Sequence, residues 1–304
     1  VAGLNLENGA RVFCYANGPT NTIQVTGADA FATAVSNEIN IVYTTPPQVG
    51  STNKLIKFSG TIMGDGTNAF ALGSLPGGVA GYLQTNAADT TVELVITNLG
   101  PGYIWTGSID TNWNIAGTAN WTSGGTPGTY VNYMPALFND TATRYTVNVT
   151  QAVSPNGVTV SNTTDYLFAG VGIGGPSGVS KTASGTLTLS ARNTYSGVTT
   201  VNGGTLALTY AGSQFAGAIT GDLVINNATG RVTGINGIWG WDPTVMKKIT
   251  LNSGAVLTEA GNTVVTIGHI TMNGGTLTAA DTGDAVWGNW NFKPPSGNSA
   301  TTAP

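Results

Sequence analysis

The sequence TTVNGGTL at Thr199–Leu206 is followed by three segments with the same pattern. These are LVINNATG at Leu223–Gly230, ITLNSGAVL at Ile249–Leu257 and ITMNGGTL at Ile270–Leu277. Each segment carries one asparagine at the same place, and these are Asn202, Asn226, Asn252 and Asn273. Subtracting their numbers gives intervals of 24, 26 and 21 residues. A repeat of this length is typical of one coil of a solenoid.

Three residues precede the asparagine in each segment. The first is apolar or threonine, the second is usually threonine, and the third is apolar. This alternation is the pattern of a short strand with one face inward. The asparagine and the small residues after it favour a turn. Stacked coils would pair these strands in parallel about 4.8 Å apart, with the asparagine amides bonded up the stack. The prediction is an all-β parallel β-solenoid with coils of roughly 20–26 residues. Its stacked coils include Leu223–Leu277, and one inner apolar column holds Ile225, Leu251 and Met272. The alternative is a set of antiparallel hairpins joined by Asn-Gly turns.

The composition agrees with a chain of strands and turns. Glycine supplies 44 of 304 residues, roughly twice the usual share of about 7%, and only 8% of residues are charged. A chain so poor in helix-favouring charged residues excludes a helical bundle or a coiled coil. Because 40% of residues are apolar and the net charge is only −4, the chain should fold.

Charge and hydropathy also limit the partners. The basic residues are scattered apart from Lys247 and Lys248, so nucleic acid is not expected as a partner. No apolar run is long enough to predict a membrane span, and the first residues lack a signal-peptide pattern, so the chain is expected to be a mature or excised segment. The single cysteine, Cys14, lies between Phe13 and Tyr15 and is predicted to be a buried apolar residue in an early strand.

The segment SGTLTLSARNTYSGVTTVNGGTLAL, Ser184–Leu208, closely resembles the repeat of the autotransporter-associated β-strand proteins, which are bacterial secreted or surface proteins. The shared elements are Gly185–Leu189, Asn193–Gly197, Thr199–Val201 and Asn202–Leu206. A looser resemblance covers Trp105–Gly178, and Gly78–Thr97 resembles the end of a preceding unit. The resemblance implies a right-handed parallel β-helix with a structural or adhesive role, and an extracellular or cell-surface location in bacteria. It implies no catalytic residues.

This order of segments predicts three regions. Residues 1–100 form an N-terminal β-rich or solenoid region, in which VFCYA, TIQVTG, INIVYTT and KLIKFSG are predicted strands at irregular intervals. Residues 101–293 form a solenoid that contains the family repeat at 184–208. Residues 294–304 form an extended tail rich in Pro, Ser and Thr.

Candidate catalytic and metal-binding residues are sparse. The acidic residues occur mostly as singletons in predicted turns, and only Asp281 and Asp284 are close together. The single histidine, His269, has no cysteine or second histidine nearby, so a turn or surface position is expected. The stretch from Asp110 to Asn114 has alternating oxygen ligands but lacks the glycine and the distant glutamate of a calcium loop. We therefore expect no enzyme activity, no cofactor and no metal.

Three tryptophans, Trp105, Trp113 and Trp121, recur at intervals of eight and would share a face if the chain were extended. One interpretation is an aromatic contact surface that stacks on sugars, and the favoured one is a set of core rings or a docking site for another subunit. The pairs Trp239 with Trp241 and Trp287 with Trp290 leave the same choice open.

The predicted function is a structural subunit of an extracellular bacterial filament, fibre or surface layer. Solenoid ends present unpaired strand edges, and neither end shows a charged or helical cap, so the main expected partner is another copy joined head to tail. In this arrangement Pro294–Pro304 or the last coil would contact the first coil near Val1–Tyr15 of the next copy. Alternatives are an adhesin that binds a surface polysaccharide and a polysaccharide-degrading β-helix enzyme.

Overall fold

The computed structural model describes the chain apart from a few positions and two stretches. These are Asn8, Asn17, Pro19, Asn21, Val35, Ser36, Pro101, Asn262, Thr263, and residues 280–288 and 293–304. The predicted tail, the Asp281–Asp284 pair and Trp287 lie outside the described residues. The described chain is almost entirely β, with two short 3-10 turns at Gly66–Ala69 and Pro76–Gly78, so the all-β prediction is confirmed. None of its helices is long and apolar enough to cross a bilayer.

The chain divides into two compact units. The first comprises Val1–Gly102 with Val131–Met134, and the second comprises Tyr103–Tyr130 and the chain from Pro135 onward. The strands of the first unit are β1 Leu4–Leu6, β2 Arg11–Ala16, β3 Ile23–Ala28, β4 Phe31–Thr33, β5 Asn37–Tyr43, β6 Thr52–Ser59, β7 Ile62–Gly64, β8 Phe70–Leu72, β9 Ala80–Asn86 and β10 Thr91–Asn98.

The first unit is built from wide parallel coils. Strands β1, β4 and β7 form one parallel sheet, β2, β5 and β8 form a second, and β3 pairs in parallel with β6 in a third. Leu4 pairs with Phe31, and Phe31 pairs with Ile62, so the coils here span 27 and 31 residues when the numbers are subtracted. These coils exceed the predicted 20–26 residues because each contains three strands and longer connections.

The family resemblance predicts that residues 78–97 belong to a parallel β-helix, but β9 and β10 form an antiparallel hairpin. Strand β10 pairs antiparallel with both β9 and β6. Only four residues, 87–90, connect β9 to β10. A connection this short permits only antiparallel pairing, since a parallel return needs a crossover of about a dozen residues or more.

Alternation of side chains along β2 explains the position of Cys14. The burial pattern of this strand alternates strictly, so Cys14 is fully buried while Phe13 and Tyr15 face outward. Burial raises the pKa of the Cys14 thiol to about 12. The prediction of a buried, apolar cysteine is confirmed.

The second unit contains the remaining strands. These are β11 Tyr103–Trp105, β12 Asn112–Trp113, β13 Trp121–Ser123, β14 Thr126–Gly128, β15 Ala136–Asn139, β16 Thr146–Val149, β17 Val158–Ser161, β18 Tyr166–Gly170, β19 Val179–Thr182, β20 Thr186–Leu189, β21 Thr199–Val201, β22 Thr205–Leu208, β23 Leu223–Ile225, β24 Thr229–Val232, β25 Lys248–Asn252, β26 Val256–Glu259, β27 Val264–Ile267, β28 His269–Asn273, β29 Thr276–Ala279 and β30 Asn289–Phe292.

Two long sheets run along this unit. The first has ten strands, in which an antiparallel start, β14-β13-β11, is followed by parallel strands from β15 to β28. The second has eight parallel strands from β12 to β29, and β27 pairs with β30 on a third side. From β15 onward, a connection of two to six residues leads from each strand of the first long sheet to the next strand of the second. The parallel β-solenoid prediction is confirmed, and the antiparallel-hairpin alternative is excluded for the repeats.

The inner column of the repeats matches the prediction at two of its three positions. Ile225 pairs in register with Leu251, and both are fully buried. Met272 pairs in register with Leu251 but is 49% exposed, so its predicted burial is wrong. The reason is that β28 is the terminal strand of its sheet among the described residues, and no described strand pairs beyond it.

Replacing Leu251 with Asp places a charge in this buried column, and we expect the free energy of unfolding to fall by about 4 kcal/mol. The matched control is Thr250→Asp, because Thr250 is the neighbouring residue on the outward face of the same strand. That variant should lose about 1 kcal/mol or less. Chemical denaturation of both variants checks the orientation of β25, and equal losses would contradict it.

Candidate functional site

The four repeat asparagines form a continuous hydrogen-bonded ladder. The Nδ2 of Asn226 donates to Oδ1 of Asn202 at 2.8 Å, and the Nδ2 of Asn252 donates to Oδ1 of Asn226 at 2.5 Å. The Nδ2 of Asn273 then donates to Oδ1 of Asn252 at 2.9 Å. Each of the two middle amides therefore bonds to the coil before it and to the coil after it, as stacked amides do in other parallel β structures.

The turn after each ladder asparagine requires a left-handed residue. Gly204 and Gly254, two residues after their asparagine, and Asn227 and Gly274, one residue after theirs, have φ between 44° and 85°. Glycine and asparagine are the residues that adopt this conformation at least cost. The Asn-rich and Gly-rich pattern of the repeats is therefore a consequence of turn geometry as well as of the ladder.

A buried lysine occupies the coil that precedes the ladder, and sequence reasoning did not single it out. Lys181 faces inward on β19, in register with Val160 and Val201. Its Nζ donates to the backbone oxygens of Thr182 at 2.6 Å, Ala183 at 2.8 Å and Gly203 at 3.2 Å. Three carbonyl oxygens match the three donors of an ammonium group, so Lys181 holds the turns of two successive coils together. The only sequence signal is a lysine at a strand position that alternation assigns to the interior.

The asparagine of the Asn-Thr-Tyr-Ser-Gly segment joins three successive coils. Asn193 is buried, and its Oδ1 accepts the N–H of Ile173 at 2.8 Å. Its Nδ2 donates to the oxygen of Ala218 at 2.8 Å and to that of Ala191 at 3.1 Å. These bonds satisfy backbone groups on the side of the solenoid where strands are interrupted.

The tyrosine and glycine of the same segment also have structural roles. Tyr195 is fully buried, and its hydroxyl shares a 2.7 Å hydrogen bond with the hydroxyl of Thr199. Burial raises the pKa of Tyr195 well above its usual range. A β-carbon on Gly197 would lie 2.3 Å from the backbone nitrogen of Gly178, so only glycine permits this approach. The tyrosine and the glycine of this segment therefore pack the interior and allow neighbouring coils to approach closely.

Single carboxylates accept hydrogen bonds from the backbone of the neighbouring coil. Asp140 accepts the backbone N–H groups of Thr163 and Thr164, each at 2.9 Å, and these bonds lower its pKa. Asp165 accepts the N–H of Thr186 at 2.7 Å, one coil later. Asp222 accepts the N–H of Lys248 at 3.0 Å in the same way. These three acids thus perform the same structural task on separate coils.

Trp105, Trp113 and Trp121 do not form a contact surface. All three are buried to 1% exposure or less, and their rings pack edge-on or tilted with centroids 5.2 and 5.3 Å apart. Tyr130 and Phe138 complete this aromatic core. The interpretation as a sugar-stacking surface is wrong because the hairpin of β13 and β14 folds Trp121 against the other two rings.

The stretch from Asp110 to Asn114 satisfies its own polar groups. Asp110 accepts hydrogen bonds from Asn112 and from the buried Asn120. Its carboxylate is therefore used within the turn. Among the described residues, no three His, Cys, Asp or Glu side chains lie close enough to hold a metal ion. His269 is exposed at the start of β28.

Lys181 provides a pH-dependent test of the turn. Burial lowers its pKa to about 8 from the ordinary 10.5, so between these values the unfolded chain binds more protons than the folded chain. Stability must then rise with pH across this window. We expect the melting temperature of the wild type, measured relative to Lys181→Met, to increase from pH 7.5 to pH 10. A constant or falling difference would contradict the lowered pKa of Lys181.

One comparison with known proteins matches a single region of the chain. Residues 179–208 match the Passenger-associated-transport-repeat family model. These residues contain Lys181, the Asn193 segment and the first ladder asparagine, Asn202. No curated protein and no solved structure gave a significant match to the chain. The repeat match and the parallel β-solenoid together fit the autotransporter-associated β-strand repeat proteins.

Proposed function

We propose that the chain is a non-enzymatic structural segment of a secreted or surface protein of bacteria, and that copies join end to end into a filament, fibre or surface layer. The passenger repeat at residues 179–208 supports a secreted or surface location. The stacked coils of the second unit support a structural role, since such coils tolerate extension by further coils of the same kind.

One observation carries the assembly proposal. Met272 occupies the inner column of the repeats yet is 49% exposed, whereas Ile225 and Leu251 in the same column are fully buried. A further coil paired with β28 would bury Met272 and satisfy the backbone groups of a strand edge that no described strand pairs. We propose that another copy of the chain contributes that coil.

The first coil of the first unit offers a different surface for the same contact. Strands β1 and β2 are edge strands of their sheets among the described residues. Two outward side chains on β2, Phe13 and Tyr15, are 65% and 48% exposed. A contact between two different surfaces of one chain is heterologous and propagates into an open assembly unless its rotation closes a ring.

The alternatives have less support. Burial of Trp105, Trp113 and Trp121 removes the main aromatic surface of the adhesin interpretation, and in the pair of Trp239 and Trp241 only Trp241 is exposed. The carboxylates of Asp140, Asp165 and Asp222 accept backbone hydrogen bonds across coils, which favours a structural role over a catalytic one. We therefore place the structural role first.

Replacing Met272 with Asp tests the assembly. The variant should fold with little loss of stability because the side chain is half-exposed, but it should lose end-to-end polymers because a stacked coil would bury the charge. The control is Thr271→Asp on the outward face of the same strand, which should still polymerise. Negative-stain microscopy and sedimentation velocity measure the outcome. A wild type that stays monomeric at high concentration, or a Met272→Asp variant that polymerises normally, would contradict the proposal.

A further inference from the structure

Two adjacent cavities lie beside residues 242–247, just before β25. Each has a volume of about 280 Å³. Lys247, Lys248 and His269 line one of them, and Arg192, Phe215 and Lys247 line the other. Because Lys247 lines both, the cavities adjoin, and we call them together the basic groove.

The basic groove concentrates positive charge on a chain that is otherwise acidic. It holds three of the ten Lys and Arg residues and the single histidine, although the net charge of the chain is −4. Within the described part of the chain, the side chains of Arg192, Lys247 and Lys248 take part in no ion pair or hydrogen bond. Asp222 also lines the groove, and one of its oxygens accepts the backbone N–H of Lys248. The three cations are therefore free to meet an anionic ligand.

Hydrogen bonds fix the chain that carries Lys247. Oδ1 of Asp242 accepts the backbone N–H of Thr244 at 2.9 Å and its hydroxyl at 2.6 Å. Oδ2 of Asp242 accepts from Nε2 of Gln214 at 3.2 Å, so residues 242–244 are tied to the chain before Phe215. A groove whose walls are held in this way loses less entropy when it binds a ligand.

An exposed aromatic ring lies beside the cations. Phe215 is 56% exposed, while Trp239 behind it in the same cavity is buried and donates its Nε1 hydrogen to the oxygen of Gly221. The buried ring supports the cavity wall, and the exposed ring is available to a ligand. Ligand sites commonly combine an aromatic surface with a few polar groups that fix orientation.

We propose that the basic groove binds a polysaccharide that carries carboxylate groups, such as a polymer of uronic acids. Arg192 and Lys247 would bind carboxylates of successive sugars, since the planar guanidinium matches a carboxylate in two places and the ammonium binds as a point charge. Lys248 and His269 would extend the contact into the cavity that they line with Lys247. The ring of Phe215 would pack against the apolar face of a sugar. A ligand that spans both cavities uses every one of these groups, whereas a single small anion uses only one or two.

This binding adds a ligand to the proposed structural role and rests on its extracellular location, but not on assembly. The experiment therefore uses the full chain at a concentration where it is monomeric. Failure of binding then leaves the end-to-end proposal standing, and failure of assembly leaves the groove standing.

Titration calorimetry with a hexamer of galacturonic acid tests the proposal, with a neutral glucose hexamer and inorganic phosphate as comparison ligands. We expect the acidic hexamer to bind and the neutral hexamer not to bind. Lys247→Gln and Arg192→Gln should each weaken the affinity about tenfold, the scale of one lost charge-assisted hydrogen bond. Phe215→Ala should weaken it as well.

The matched control is Arg231→Gln, because Arg231 is an exposed arginine on β24 that lines neither cavity. It should leave the affinity unchanged. Equal losses in Arg231→Gln and Arg192→Gln would overturn the proposal, since binding would then follow overall charge. Absence of binding by the acidic hexamer would also overturn it. A third contrary result is that phosphate binds as tightly as the hexamer and Phe215→Ala leaves the affinity unchanged, which would indicate a simple anion site.

Discussion

From β15 onward, each coil of the second unit obtains the strand hydrogen bonds of its two long sheets from the coils before and after it. A single coil has no partner within itself for the backbone groups of its strands, because neighbouring strands in each long sheet come from successive coils. Buried backbone groups must be paired, so the stack is stable only as a stack. The inward side chains then form buried columns, in which Ile225 lies next to Leu251.

Polar side chains reinforce this pairing at the corners, where strands end and backbone pairing stops. The ladder from Asn202 to Asn273 bonds one corner. Lys181 binds two carbonyl oxygens of its own turn and one of the first ladder turn, and Asn193 bridges three coils elsewhere. This arrangement explains why a chain with only 8% charged residues places several of them in or against its turns. Several of the few charged and amide groups of the chain join coils, whereas the side chains of Arg192, Lys247 and Lys248 make no such bond and line the basic groove.

The repeats were readable from sequence because a turn that needs asparagine and glycine recurs at nearly constant intervals. Periodicity places Leu251 inside, but it cannot tell that Met272 lies on a terminal strand, since exposure there depends on which coil stacks next. Intervals of eight placed the three tryptophans on one face, and only the fold of the hairpin β13–β14 shows that this face is inside. Lys181 was missed because its stabilisation comes from three backbone carbonyls, which no sequence pattern displays. The basic groove is lined by residues from Arg192 to His269, which are far apart in sequence. Only the stacking of coils brings them close together, so the sequence pattern did not predict the groove.

In-register stacking across many coils is the central claim, and a pair of spin-label distances tests it most directly. Thr159 and Thr271 lie on the outward face of the ten-stranded sheet, five register steps apart, and Thr250 is four steps from Thr159. With labels on introduced cysteines in a Cys14→Ala background, pulsed electron paramagnetic resonance should give roughly 24 Å for the pair 159 and 271, and roughly 19 Å for the pair 159 and 250. The increment of about 4.8 Å is the spacing of one coil. Equal distances for the two pairs, or an increment of twice that size or more, would contradict parallel stacking in register.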